Sequence, residues 1–199
     1  MLENLKGYNV ILASNSPRRR ELLQQLGLEF TVKTVEGCDE TYPKNLAGSE
    51  IALHIAPGKA DAFKPYFKNG DIVITADTIV YKEGIVFGKP EDRAEAISML
   101  KTLSGSVHKV FTGVCISGNH YQSEFCAETD VCFAPLKDED IEWYVDNYKP
   151  FDKAGSYGIQ EWIGFIGVEW ISGSFFNVMG LPVHMLFEEL KKVPPLNIF

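Results

Sequence analysis

The chain has 199 residues, of which 45% are hydrophobic and 23% charged, and its formal net charge is −8. That length suits one α/β domain or two small lobes, and the apolar share is enough for a real core. The negative charge excludes a general attraction to nucleic acid or anionic membrane, so a polyanion would have to be met by a local cationic site.

Taken in chain order, Tyr8 to Ala13 reads as a short buried strand. A helix follows at once, with Ser16 as N-cap, Pro17 at the first helical position and Gly27 as its stop. Phe30 to Val35 reads as a second strand. Glu50 to Phe63 reads as a helix with Ile51, Leu53, His54 and Ile55 toward the buried side, and Pro57 predicts a kink or early stop. Asp71 to Tyr81 is a strong strand, and Lys82-Glu83-Gly84 turns it into Ile85 to Phe87.

Glu91 to Leu103 reads as a helix with Ala94, Ile97, Met99, Leu100 and Leu103 as its apolar positions, ended by Ser104-Gly105. Two strands, His108 to Ser117 and Tyr121 to Ala134, are expected to join at Gly118-Asn119. Asp138 is expected to cap a helix reaching Tyr148 before Pro150. Gly155 to Gly180 reads as loops and short strands. Pro182 opens a C-terminal helix with lysines in its last turn. Interleaved strands and helices predict an α/β fold, a mixed twisted sheet flanked by helices.

Four scattered cysteines, Cys38, Cys115, Cys126 and Cys132, form no CxxC pair and read as reduced, mostly buried thiols. The opening MLENLKGYNVILAS carries Glu3 and only a short apolar run, so no secretory signal is read there. No apolar stretch approaches the ~20 residues of a membrane span. The expected compartment is the cytoplasm, with no nucleic-acid or membrane partner.

Four groups of residues carry chemistry. The first is Ser14-Asn15-Ser16-Pro17-Arg18-Arg19-Arg20. A helix N-terminus is electropositive and prefers acids, so arginines in its first turn are unfavourable unless an anion is bound. Free amides, serine hydroxyls and guanidinium forks make a phosphate cradle. The second is Asp77-Thr78 within an apolar strand, where a carboxylate binds metal, activates water or is locked in an ion pair. The third is Lys59, Lys89 and Lys153, each beside Gly or Pro or close to one. With the isolated acids Glu40, Asp77 and Asp152 they suit a polyphosphate with a divalent ion. The fourth is Gly155-Ser156-Tyr157-Gly158-Ile159-Gln160, where glycines admit a close ligand and Gln160 offers an acceptor and a donor that can match N3–H and O4 of uracil or thymine. A structural glutamine fits that stretch equally well.

Taken together, SNSPRRRELL, CDET, GKA, ADTIV, GKP, HKVFTGV, FDKAGSYGIQ and GSFFNVMGLPV occur in one order from Ile11 to Val183. This ordered set resembles the Maf family of nucleoside triphosphate pyrophosphatases. The resemblance implies one Maf-like domain over residues 1–199 with two lobes around a central cleft, often assembled as a homodimer. It implies hydrolysis of a nucleoside triphosphate to the monophosphate and pyrophosphate, with Mg²⁺ or Mn²⁺. By motif, Asp77 matches the proton acceptor. Arg18, Thr78 and Gln160 match positions of substrate choice. Ser14, Arg19, Glu40, Lys59, Lys89, Asp152 and Lys153 match the polar cleft. The motif leaves open whether Asp77 is the base or, with Glu40, a metal ligand. DKAGSYGIQ resembles the branch acting on dTTP and UTP. Arg20 departs from the usual arginine pair and receives no role.

Two rivals remain at this point. One is a pyrophosphatase for modified or non-standard nucleotides, which would differ around Gln160. The other is a nucleotide-sensing protein that affects cell division by binding with little turnover. Asp77, Lys89 and Asp152 speak against the second, since a pure sensor need not keep the acids.

Overall fold

A computed structural model describes residues 2–35 and 40–196. Cys38 lies outside the described residues. A seven-stranded sheet runs in the order β2-β1-β3-β5-β6-β7, with β4 paired to β3. Its strands are β1 (Asn9–Leu12), β2 (Thr31–Val32), β3 (Asp71–Lys82), β4 (Ile85–Phe87), β5 (Val107–Gly118), β6 (Tyr121–Phe133) and β7 (Val168–Ser172). The helices are α1 (Pro17–Gln25), α2 (Ser49–Phe63), α3 (Arg93–Leu103), α4 (Asp138–Tyr148), α5 (Trp162–Gly167), α6 (Phe175–Met179) and α7 (Val183–Leu190). The sheet is mixed: β1 is parallel to β2 and β3, whereas β3–β4 and β6–β7 are antiparallel. This is the expected α/β architecture.

The chain divides into two compact units. The first comprises residues 1–77, 112–127 and 180–199, and the second 78–111 and 128–179. In the first unit β1 aligns Asn9 to Leu12 with Asp71 to Ile74 of β3, and Asn9 Nδ2 donates to Asp71 Oδ1 at 2.9 Å. Ile11, Val73 and Phe63 pack together here. In the second, α3, α4 and α5 contribute Leu100, Leu103, Ile141, Tyr144, Val145 and Ile163 to a larger core that also holds Val131, Phe133 and Tyr157.

Most elements fall where the residue pattern puts them, and the departures have physical causes. The second strand shrinks to Thr31–Val32, both exposed. Helix α2 runs through Pro57 without stopping. Its buried face is Ile51, Ala52, Ile55, Ala56, Ala60 and Phe63, and that packing outweighs the missing N–H. His54 is on the exposed side, because the stripe follows a 3.6-residue period through Ile51 and Ile55. Similarly, Ala96 rather than Ala94 faces the core from α3.

Gly118 belongs to β5, and the turn residues are Asn119-His120. A Cβ at 118 would lie 2.8 Å from Asp71 O, so this glycine permits a close backbone approach rather than a turn. The residue capping α4 is Lys137, with Asp138, Glu139 and Asp140 in the first turn where the helix dipole favours acids. Two short helices, α5 and α6, occupy the Gly- and aromatic-rich stretch read as loops and strands. Helix α7 ends at Leu190, so Lys191 and Lys192 follow it instead of filling its last turn. Cys115 is buried, but Cys126 and Cys132 are only partly so, which corrects the expectation of mostly buried thiols. Among the described residues, no helix is long and apolar enough to cross a membrane.

Candidate active site

In the first unit, β1 ends at Leu12 and the backbone turns through Ser14-Asn15-Ser16 into α1. Ser16 caps the helix, its Oγ accepting from Arg19 N at 3.4 Å, and its own N–H donates to Ser14 Oγ at 3.2 Å. The first turn of α1 holds no acid. Arg19 folds back along the turn, donating from Nε to Gly180 O at 2.8 Å and from Nη1 to Ser14 Oγ at 3.3 Å. Arg18 is half-buried and Arg20 exposed. Burial pulls the Arg19 guanidinium below its ordinary pKa; Asp77 pulls it back up, Arg18 lowers it further and Glu40 raises it. The two carboxylates are therefore near enough to act on this cation.

Asp77 lies three residues beyond Ile74, the last β3 residue paired to β1, past the end of β1 that feeds the serine turn. Ligands of open α/β sheets gather at such strand ends. Helix α2 meets β3 in register. Thr75 Oγ1 donates to Ala56 O at 2.7 Å. One step further along both elements, Lys59 Nζ reaches Asp77 Oδ1 at 2.6 Å. Residues 75 and 77 share a strand face, and residues 56 and 59 share a helix face, so the second contact follows from the first. Gly113 lets α2 sit this close: a Cβ there would stand 2.2 Å from Ala52 O. Lys59 also contacts Glu40 Oε1 at 2.7 Å. The Lys59 and Asp77 side chains are each only 13% exposed, against 53% for Glu40.

The second unit holds the rest of the expected residues. Thr78 opens its part of β3 and is half-buried. Lys89 is exposed just after Gly88, whose carbonyl accepts from Gly155 N at 3.0 Å. Lys153 is buried, with its Nζ 2.8 Å from Asp152 Oδ1 and 3.1 Å from Glu161 Oε1. Gly155 and Ser156 both adopt positive φ, and the Ser156 hydroxyl donates to Met99 Sδ at 3.1 Å. Gln160 is half-buried; its Oε1 is a buried acceptor without a donor among the described residues.

Two residues here escaped the sequence reading. The Tyr144 hydroxyl donates to Glu161 Oε2 and accepts from Gly158 N at 3.0 Å. Burial raises the Tyr144 pKa, and the Glu161 carboxylate raises it further, so the hydroxyl keeps its proton. Glu161 adjoins Gln160 in sequence, which was the only available signal; Tyr144 reads as a plain core position of α4.

Within the first unit the structure thus brings Ser14 to Arg19, and both Glu40 and Asp77 to Lys59. Within the second it brings Asp152 to Lys153. Asp39 of the CDET piece lies outside the described residues. Among the described residues, no three His, Cys, Asp or Glu side chains gather as a metal-holding group.

The fold and these residues define a mixed α/β protein that sets cations and carboxylates at a strand end beside a cationic helix start, chemistry suited to an anion. The chain belongs to the Maf family: the family's sequence pattern, described as Maf-like protein, matches residues 9–193. A dTTP/UTP pyrophosphatase of Phocaeicola vulgatus is 57% identical over 97% of this chain and 100% of its own. One of Parabacteroides distasonis is 56% identical over 96% of this chain and 99% of its own. A third, of Bacteroides thetaiotaomicron, is 54% identical over 97% and 100%.

Proposed function

We propose that this chain hydrolyses dTTP and UTP between the α and β phosphates, giving the monophosphate and pyrophosphate. The observation that carries the mechanism is Asp77, a carboxylate on a central strand fixed by Lys59 at 2.6 Å. Near-full-length relatives bearing the name dTTP/UTP pyrophosphatase support the substrate. Asp77 accepts a proton from the water that attacks the α-phosphorus. Arg18, Arg19 and the electropositive start of α1 meet the phosphates, with Ser14 holding Arg19 in place. Thr78, Lys89, Asp152 and Lys153 are assigned to nucleotide binding, and Gln160 to reading the base. Residues 1–199 act as one Maf-like functional domain.

A divalent cation fits the donor set at Asp77. Asp77 and Glu40 converge on one ammonium, and Mg²⁺ commonly takes one or two carboxylates together with substrate phosphate oxygens. Bound there, Mg²⁺ or Mn²⁺ supplies charge neutralisation to the triphosphate. The working form is a homodimer in the cytoplasm. Exposed Phe165, Ile166 and Trp170 support the dimer, and light scattering would then give twice the 22.3 kDa chain mass.

The test is pyrophosphate release from common and modified nucleoside triphosphates, with Mg²⁺, with Mn²⁺ and with chelator. Fastest release from dTTP and UTP, lost on chelation, is expected. No release from either nucleotide with either metal would refute the reading.

A further inference from the structure

The base-reading amide of Gln160 poses a problem of direction. Uracil and thymine present N3–H and O4, a donor and an acceptor. Cytosine presents the reverse pair, the N3 acceptor and the N4 amino donor. A glutamine amide turned by 180° exchanges its own donor and acceptor and so exchanges its preferred base. An enzyme that selects uracil over cytosine through one glutamine must hold that amide one way round.

The surroundings of Gln160 contain such a hold. A side chain at Gly158 would have its Cβ 2.8 Å from Glu161 Cδ, 3.0 Å from Glu161 Oε2 and 3.1 Å from Gln160 Nε2. The Glu161 carboxylate and the nitrogen end of the Gln160 amide therefore both border the space a Gly158 side chain would take. A carboxylate attracts an amide NH₂ and repels an amide oxygen, so this neighbourhood favours Nε2 on the Glu161 side and Oε1 on the other. Oε1 is the buried acceptor that finds no donor among the described residues. It is thereby left for the N3–H of a bound base.

Glu161 is in turn fixed. Lys153 Nζ stands 3.1 Å from its Oε1, and the Tyr144 hydroxyl donates to its Oε2. Tyr144 also accepts the Gly158 N–H, and Glu161 N donates to Gly158 O at 2.9 Å, closing a ring around the glycine. The Lys153 and Glu161 side chains are only 9% and 18% exposed. Buried ion pairs of this kind contribute little to stability, because desolvation cancels most of the attraction. Their use lies in fixing one arrangement.

We propose that Glu161, braced by Tyr144 and Lys153, is a specificity-determining positioning residue that sets the direction of the Gln160 amide and so selects uracil and thymine over cytosine. This rests on the dTTP/UTP reading above. It adds residues that neither touch the phosphates nor take part in the chemical step.

The experiment compares kcat and KM for UTP and CTP in the wild type, Glu161→Gln, Tyr144→Phe, Gln160→Ala and the double variant Gln160→Ala/Glu161→Gln. Glu161→Gln keeps the shape and removes the charge. It should lower the UTP/CTP ratio of kcat/KM about tenfold, through KM, with kcat changed less than about threefold. Tyr144→Phe leaves the Glu161–Lys153 pair intact and should move the ratio the same way by about threefold, which keeps the test alive if Glu161→Gln does not fold. In the Gln160→Ala background, Glu161→Gln should change the ratio no further, since its action passes through Gln160. A folded Glu161→Gln whose ratio matches the wild type overturns the proposal. So does an equal loss for both nucleotides, the mark of a merely structural role. A wild type inactive on both UTP and dTTP refutes the pyrophosphatase reading itself and removes the basis for this one.

Discussion

Replacing Asp77 by Asn tests the chemistry while preserving the shape of the strand. The bare attraction between charges 2.6 Å apart is about 6 kcal/mol at an effective dielectric constant near 20, before desolvation is subtracted. Removing one partner of a buried pair leaves the other uncompensated, at roughly 3–5 kcal/mol. Lys59 keeps Glu40 at 2.7 Å, so the net loss of stability should be smaller, about 1–2 kcal/mol, or about 2–8 °C in Tm. Against a typical total of 5–15 kcal/mol, that leaves the protein almost fully folded at 25 °C. Loss of a general base lowers the rate by ~10²–10⁴-fold, about 3–5 kcal/mol at the barrier. The two effects are therefore separable. Scanning calorimetry reads the first, and pyrophosphate release from UTP at saturation reads the second. An Asp77→Asn protein that melts within this range yet retains kcat within about threefold of wild type would refute the role of Asp77 as proton acceptor.

Stability should also fall on acidification through His108. Burial lowers its pKa to about 4 from the ordinary 6.5; nearby Lys82 lowers it further and Asp130 opposes. Above pH 6.5 both folded and unfolded states hold a neutral imidazole. Between 6.5 and 4 only the unfolded state takes the proton, so stability drops by about 1.4 kcal/mol per pH unit through that window, and urea midpoints at pH 7 and pH 5 read it against His108→Gln. An equal pH dependence in His108→Gln would sink this assignment. Gly113→Ala should destabilise by about 2 kcal/mol or more, since its Cβ would meet Ala52 O at 2.2 Å and backbone cannot rotate away. Denaturant unfolding checks this, and an unchanged midpoint would mean that α2 does not lie where it is described.

Local chemistry made much of the fold readable. Ser16 and Pro17 announce α1 because capping depends on neighbouring backbone amides alone. Glu83 and Gly84 both adopt positive φ, and the turn into β4 is legible for that reason. The failures are those in which distant packing decides. Trp162 to Gly167 includes two glycines in six residues and has no local reason to be helical. Gly118 looks like a turn residue, yet its role is set by the β3 backbone at Asp71, far earlier in the chain. His54 reads as buried because its neighbours are apolar on every side, and only the packed face of α2 separates it from Ile55. The same division runs through the site. Asp77 is conspicuous as a charge in an apolar strand. That Lys59 meets it depends on the register of α2 against β3, and no spacing in the sequence carries that register.

Charge placement in the two units follows one logic. Asp77 and Lys59 are held by a helix–strand register, while Lys153 and Glu161 are held by a loop closed on Gly158 and by a tyrosine from α4. Neither pair is a good source of stability, because each ion gives up water to reach its partner. A sequence selected for stability alone would fill such positions with apolar side chains of similar volume. Their presence is intelligible if the charges must already be in place when a substrate arrives, so that little of the binding energy is consumed in arranging them. Arg19 carries the argument furthest. Its guanidinium is tied to Gly180 O and Ser14 Oγ and bears a desolvation penalty, yet it stands at a helix end where a cation is disfavoured. An anion at that helix start would offset both costs.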